Sequence, residues 1–479
     1  MSMMKHLGMA SLIAWVAVNA ANAQAADGSV ALRAGAAKVD ITPPESALAP
    51  GDSIRDHLYV RAIVISNGAS CAVLVGLDQS NAEQEVVDDA SQRASKSIGC
   101  PAGNFIISAT HSHSTNTAGL AATGAPTRKQ VADAVVSAVE QAHAKLRPAR
   151  IGYGTTQVYL NVNRDLFESQ MWYQGSNREG GSDKTLAVVE LLGDDGRPIG
   201  VYMNYAMHPI NFYLSGLISA DFPGEASRYL ERRFPNAVAV FTQGASGNQN
   251  PLLIRPMLKL SGLRTRMPGA ADDAIPAPDQ WKVSAQQVNA NTVQTEEMKK
   301  PITPAEAAAY KAAIAETGEA VTMMGALIGE SAIDVMKYLT PQTTSSARIW
   351  SEQQTISCPG RDRLDTSARQ NALPPYKDGN PVNIKLGLMR IGDIDFASVN
   401  GEIYSDIGVR LKQEAPSNRL MIVTLANGRA NSGYIYSNEA ASHLTFQVIG
   451  SRLKPGCAED KIVGTELEML QDASKGPIP

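Results

Sequence analysis

The chain has 479 residues, enough for one large domain with an insertion or for two domains. Apolar residues make up 44% and charged residues 19%, an ordinary globular composition. With 47 acidic and 43 basic residues the formal charge is -4, which excludes a basic nucleic-acid footprint and an acidic tail.

The first 25 residues read as a signal peptide. Lys5 and His6 precede an apolar run at 7–18, and the small-residue sites Ala21-Asn22-Ala23 and Ala23-Gln24-Ala25 follow, so cleavage is expected after Ala23 or Ala25. The run is too short to span a bilayer, which needs roughly 20 residues. Export to the periplasm or the medium is expected, with no transmembrane segment in the mature chain and residues 26–479 as one domain.

Val- and Ile-rich runs at 60–67 and 71–77, joined by Asn67-Gly68, predict a hairpin. Helical spacing follows at 83–97, then a strand at 105–109. Residues 129–146 predict an amphipathic helix with Val131, Val135, Val139 and Ala142 on one face. Later strands are predicted at 187–192, 200–206, 237–241, 385–391, 396–399 and 420–425. The strand–helix–strand–helix order predicts an α/β fold, a mixed β-sheet core with flanking helices and some parallel pairing.

Residues 254–342 break this pattern and read as a helical excursion, opening at Pro268-Gly269-Ala270-Ala271-Asp272-Asp273. Thr303-Pro304-Ala305-Glu306 is a capping box with proline at the first helical position. Gly318 is expected to interrupt or end that helix, and a second helix is expected through Val335 and Leu339. Met323, Met324 and Met336 either line an adaptable apolar surface or simply pack on the sheet.

Cys71, Cys100, Cys358 and Cys457 lack C-x-x-C spacing, which argues against a thiolate zinc site. In an oxidising compartment they can pair in three ways. Cys71–Cys100 and Cys358–Cys457 is expected, because each pair falls within one half of the chain; four free thiols is the alternative.

Of seven histidines, His6 lies in the signal segment, and His57, His143 and His443 are isolated. His111 and His113 flank Ser112 directly after the 105–109 strand, and an extended chain there would project both imidazoles from one face. His208 follows the strand at 200–206, Asp78 ends the 71–77 strand, Glu402 follows 396–399, and Tyr434 lies after 420–425. Ligand sites of open α/β sheets sit at such carboxyl ends. Imidazole and carboxylate are ordinary zinc ligands, and zinc with one open position activates water near neutral pH. Other signatures fail: Ser246 is not in a G-x-S-x-G elbow, and there is no H-E-x-x-H, Walker or Rossmann motif.

At these residues the sequence resembles the neutral (alkaline, non-lysosomal) ceramidases, a family of zinc amidases. Gly35-Ala36-Ala37-Lys38-Val39-Asp40-Ile41-Thr42-Pro43 looks like that family's opening motif. Leu58-Tyr59-Val60-Arg61-Ala62 and Ile107-Ser108-Ala109-Thr110-His111-Ser112-His113-Ser114 continue it. Asn163-Arg164, Asn204-Tyr205-Ala206-Met207-His208-Pro209, Gly401-Glu402, Asn427-Gly428 and Gly433-Tyr434 follow in collinear order. The resemblance covers the catalytic N-terminal domain, since the chain ends at Pro479 soon after the last motif.

The resemblance implies zinc held by His111, His208, Glu402 and Tyr434, with His113 beside the zinc water as an acid-base or orienting group. It implies that Arg164 contacts substrate, and that metal-activated water cleaves the amide bond of an N-acyl, ceramide-like substrate. Two near-site positions depart from the family pattern: Asn250 stands where the family has serine, and Phe446 where it has tyrosine. These departures favour a second reading, an esterase or amidase on another acylated compound. Two further readings stay open. An amidohydrolase-type barrel also uses H-x-H after a strand, but His443 is the only late histidine. The fourth is a non-catalytic exported binding protein.

Overall fold

The computed structural model describes residues 31–48, 51–115, 125–266, 300, 302–365 and 371–475. The signal segment at 1–25 and the predicted opening of the excursion at 268–273 lie outside the described residues.

Side-chain alternation builds the core. Along Tyr59–Ser66, Ile63 and Ile65 enter one apolar cluster while Ala62 and Val64 enter another. Cys71–Leu77 repeats this, with Ala72 and Leu74 against Val73 and Val75. Strands apolar on both sides need cover on both. They form an open eight-stranded sheet in the order Val238–Gln243, Pro198–Tyr205, Thr185–Gly193, Arg147–Gln157, Arg33–Asp40, Tyr59–Ser66, Cys71–Leu77, Phe105–Ala109. Cys71–Leu77 with Phe105–Ala109, and Pro198–Tyr205 with Val238–Gln243, are parallel; the other pairs are antiparallel. The sheet has two edges, so it is not a barrel.

On one face, Gln84–Ile98 and Arg128–Ala144 bury Val86, Val131, Val135 and Val139 against Val64 and Val75. Farther along that face, Asp221–Arg233 and Pro304–Leu339 cover Val188, Val201 and Met203. The opposite face packs on a four-stranded sheet, Ile349–Arg363, Tyr376–Ile391, Ile394–Val399 and Leu420–Val423, through Ile349, Met389, Phe396 and Met421. Ser405–Glu414 and Ala458–Lys475 close that second sheet from outside. The layers therefore run helices, sheet, sheet, helices.

Several expectations need correction. Pro304–Leu339 is one 36-residue helix, and Gly318 does not end it. A glycine inside a helix costs about 1 kcal/mol, and the burial of Val321, Met324 and Ile328 outweighs that. Met324 and Met336 are buried in the core cluster beneath this helix, whereas Met323 is exposed. The capping box is formed: Thr303 N donates to Glu306 Oε2 at 2.7 Å, and Glu306 N to Thr303 Oγ1 at 3.3 Å. Both expected disulfides, Cys71–Cys100 and Cys358–Cys457, are present. Among the described residues no helix is long and apolar enough to cross a membrane.

Candidate metal centre

The site forms where strand ends are held together past their last ladder residue. Beyond Phe105–Ala109, Thr110 N donates to Leu77 O (2.8 Å) and His111 N to Gln79 O (2.9 Å). His111 then adopts φ 65°, in the left-handed region. The extended chain expected through His113 is therefore absent. The turn itself brings the two imidazoles together, with Nε2 atoms 3.2 Å apart and rings edge-on at 4.7 Å. Ser112 Oγ donates to Ser219 O, and His113 N to Pro209 O, which pins the turn to the loop after His208.

His208 leaves Pro198–Tyr205 and is fully buried. Its backbone N donates to Gln249 O at 3.0 Å, and its Nδ1 lies 2.8 Å from Ser246 O. Glu402 and Tyr434 come from two short strands, Glu402–Ile403 and Tyr434–Ile435, paired in parallel. Gly247 lies flat against this ribbon and donates its N–H to Ile403 O; a Cβ there would sit 2.8 Å from that oxygen.

His111 Nδ1 stands 2.6 Å from Ser80 O, as His208 Nδ1 does from Ser246 O. A carbonyl at Nδ1 requires the proton there, so each neutral ring presents a bare Nε2 lone pair. Those Nε2 atoms are 3.2 Å apart, and Glu402 Oε2 lies 3.2 Å from one and 3.5 Å from the other. Glu402 Oε2 is buried without a hydrogen-bond partner. Ligand atoms around a tetrahedral zinc at about 2.0–2.1 Å stand about 3.3–3.4 Å from each other. The donor set and spacing therefore fit a zinc ion. His111, His113 and His208 also form a cluster whose ligand atoms all lie within 4.8 Å, so His113 is within reach of the same ion.

Burial lowers the His113 imidazole well below its usual range, and the neighbouring His111 and His208 add to this. Burial, then the Arg164 charge, holds His208 down to about 4. Burial opposes ionisation of Glu402, but His111 and His208, when they carry protons toward it, outweigh burial and leave the carboxyl well below the ordinary range. Burial and then Glu402 raise the Tyr434 phenol, while Arg164 pulls the other way.

Arg164 is buried, with its guanidinium 5.2 Å from the Tyr434 ring centre and 5.4 Å from that of Phe446. Its Nη1 donates to Asn250 Oδ1 at 3.3 Å and its Nη2 to Gly247 O. Phe446 meets Tyr434 edge-on at 5.7 Å. Arg164 and Phe446 thus lie against Tyr434, and Asn250 against Arg164.

Asp78 does not join the cluster. It is buried in an ion pair with Arg61 at 2.7 Å. His57 pairs with Asp40 at an exposed site, and His143 is exposed on its helix. His443 is not isolated: its Nδ1 lies 3.2 Å from Asp165 Oδ2 and its ring stacks on Trp172 at 3.8 Å. The carbonyls of Ser80 and Ser246, which orient the two imidazoles, escaped sequence reasoning because a backbone acceptor has no residue signature.

Residues 46–268 match the family model "Neutral/alkaline non-lysosomal ceramidase, N-terminal". Over this segment the chain is similar to the neutral ceramidases. The neutral ceramidase of Pseudomonas aeruginosa is 30% identical over 128 residues, which is 26% of this chain and 19% of that protein. The match thus spans about a fifth of that curated relative. The crystal structure of neutral ceramidase from Pseudomonas aeruginosa superposes with TM-score 0.64 at 17% identity, covering 92% of this chain and 75% of that one. A structure described as ceramidase complexed with C2 gives TM-score 0.64 at 17% identity, covering 94% and 76%. The fold is therefore that of the ceramidase structures. His111, His113, Arg164, His208 and Asn250 fall inside the matched family segment; Glu402, Tyr434 and Phe446 lie beyond it.

Proposed function

We propose that this chain is an exported, zinc-dependent hydrolase that cleaves the amide bond of an N-acyl, ceramide-like substrate. The observation that carries the reading is the convergence of two carbonyl-oriented Nε2 atoms on the unpartnered Glu402 Oε2, in a chain similar to the neutral ceramidases over residues 46–268. His111, His208, Glu402 and Tyr434 hold the ion in this proposal. Zinc bound there supplies an activated water and polarises the acyl carbonyl. His113 moves the proton, taking it at Nε2 and delivering it to the leaving nitrogen as the C–N bond breaks and the C–O bond forms. Arg164, over the Tyr434 ring, contacts the substrate in this proposal together with Asn250 and Phe446. The two disulfides support export to an oxidising compartment, periplasmic or extracellular.

Zinc content and turnover on the same preparation test this. One zinc per chain and zinc-dependent release of fatty acid from ceramide are expected. Full activity in metal-free protein overturns the metal, and absence of any hydrolytic turnover favours a binding protein. Phe446, which brings a ring without a hydroxyl beside Tyr434, favours the second reading: an amidase or esterase on a different acylated compound. Hydrolysis of simple N-acyl amides or aryl esters in preference to ceramide is its signature.

A further inference from the structure

We infer that Asp78, anchored by Arg61, is a positioning residue for the proposed metal ligand His111; the inference rests on the metal-centre reading above. Asp78 and Arg61 are both buried, with side chains 1% and 3% exposed. Removing such charges from water costs several kcal/mol per ion, so a buried pair is weak evidence of a gain in stability. Its place in the chain points to another use.

Cys71–Leu77 ends at Leu77, yet the backbone stays paired with Tyr59 for one more residue before Gln79 N turns back to Leu77 O (2.7 Å). Asp78 N donates to Tyr59 O (2.9 Å), and Asp78 Oδ2 accepts from both Tyr59 N (2.9 Å) and Arg61 Nη1 (2.7 Å). Arg61 is in turn fixed by Glu231 of the Asp221–Arg233 helix, whose Oε1 accepts from its Nε at 3.0 Å. Asp78 thus clamps the chain to Tyr59 on its backbone and side-chain sides. Immediately after the clamp, Gln79 O receives the backbone N–H of His111, and Ser80 O faces its Nδ1. These two carbonyls set the left-handed turn and the tautomer of His111. A carbonyl on loop backbone orients a ring only as well as the loop is held, and the Asp78–Arg61 pair does the holding.

The test is Asp78→Asn, which keeps the shape and the oxygen for Tyr59 N but removes the charge facing Arg61. Zinc affinity is measured by chelator competition, the cobalt-substituted protein is examined by visible absorption, and the metal-free chain is melted. Zinc binding is expected to weaken on the order of 10-fold, as when groups that orient metal ligands are altered, with displaced cobalt bands. A purely structural pair lowers the metal-free melting temperature and leaves affinity and spectrum unchanged, which overturns the inference. Arg61→Lys is read the same way if Asp78→Asn does not fold; failure of both to fold makes the pair a folding element and also overturns it. A wild-type chain that binds no zinc sinks the metal centre itself, whereas wild-type binding matched by the variant sinks only the positioning role.

Discussion

Glu402 and Tyr434 stand directly opposite each other across a two-stranded parallel ribbon. Partners in register on neighbouring strands send their side chains to the same face, so this short ladder delivers a carboxylate and a phenol to one point. The ribbon is fixed from behind by Gly247, and through Ser246 O the same loop fixes His208. Tyr434→Phe keeps the ring and the ladder and removes only the phenol oxygen. If Tyr434 is a ligand, zinc affinity falls by more than about 10-fold while the metal-free chain melts unchanged. Affinity equal to wild type assigns Tyr434 to packing.

His113 and His111 present Nε2 atoms 3.2 Å apart, yet different roles are proposed for them. His111→Ala or His208→Ala is expected to abolish stoichiometric zinc. His113→Ala is expected to retain it and to lose kcat by about 10²–10⁴-fold, the usual contribution of a positioned acid-base group, with a smaller change in KM. Zinc lost together with activity makes His113 a ligand, as its membership of the three-histidine cluster allows. An unchanged kcat makes it a bystander.

The sheet strands with Val- and Ile-rich two-sided burial were readable from sequence because alternation and turn residues agree there, as at Asn67-Gly68. Arg147–Gln157 and Ile349–Arg363 were not, although both are long strands. The first carries Gly152 and Gly154, whose missing side chains make room for Leu339 and Val335 of the long helix. The second carries Pro359 beside a register shift between Cys358 and Gly360, and proline and glycine normally argue against a strand. The strand-end residues His111, His208, Glu402 and Tyr434 were legible as chemistry placed at carboxyl ends. Asp78 fits that description equally well, and only the Arg61 side chain, two residues into the neighbouring strand, distinguishes an anchor from a ligand.

Gly247 tests how tightly the ribbon and the His208 loop are coupled. In Gly247→Ala the new Cβ meets Ile403 O at 2.8 Å and Glu402 O at 3.1 Å, both backbone atoms that cannot rotate away. Glu402 and Ser246 must separate, so zinc affinity and turnover are expected to fall together. Gly464→Ala is the control. It lies in the Ala458–Lys475 helix with open space around its Cβ, and it is expected to raise stability by up to about 1 kcal/mol with zinc binding untouched. Equal zinc affinity in both variants refutes the coupling.

Asn250 and Phe446 depart from the ceramidase pattern, and both lie against Arg164. Phe446→Tyr restores a hydroxyl near Tyr434, and Asn250→Ser shortens the acceptor that now holds Arg164 Nη1. The double variant is expected to shift relative rates toward ceramide over simple amides. One recovered hydrogen bond, about 0.5–1.5 kcal/mol, corresponds to roughly 2–10-fold. Relative rates unchanged across the substrate series remove these two positions as determinants of specificity.

Glu190 separates stability from the site. It lies in the centre of Thr185–Gly193, buried, opposite Gly152 and Val201, and its Oε2 has no hydrogen-bond partner. Burial pushes its carboxyl up from an ordinary 4.5 to about 7. Between those values the folded chain holds a proton that the unfolded chain has released, so stability falls as pH rises. The contribution is fully present below about pH 4.5 and lost above about pH 7. Glu190→Gln cannot ionise and lacks this slope. Relative to wild type it is expected to gain stability as pH goes from 5 to 8, by about 1–3 kcal/mol at the upper end. Thermal unfolding of the metal-free proteins at both pH values measures the gain without involving the metal centre. A difference between the two proteins that does not change with pH means that Glu190 is already ionised in the fold at pH 5, and the burial argument fails.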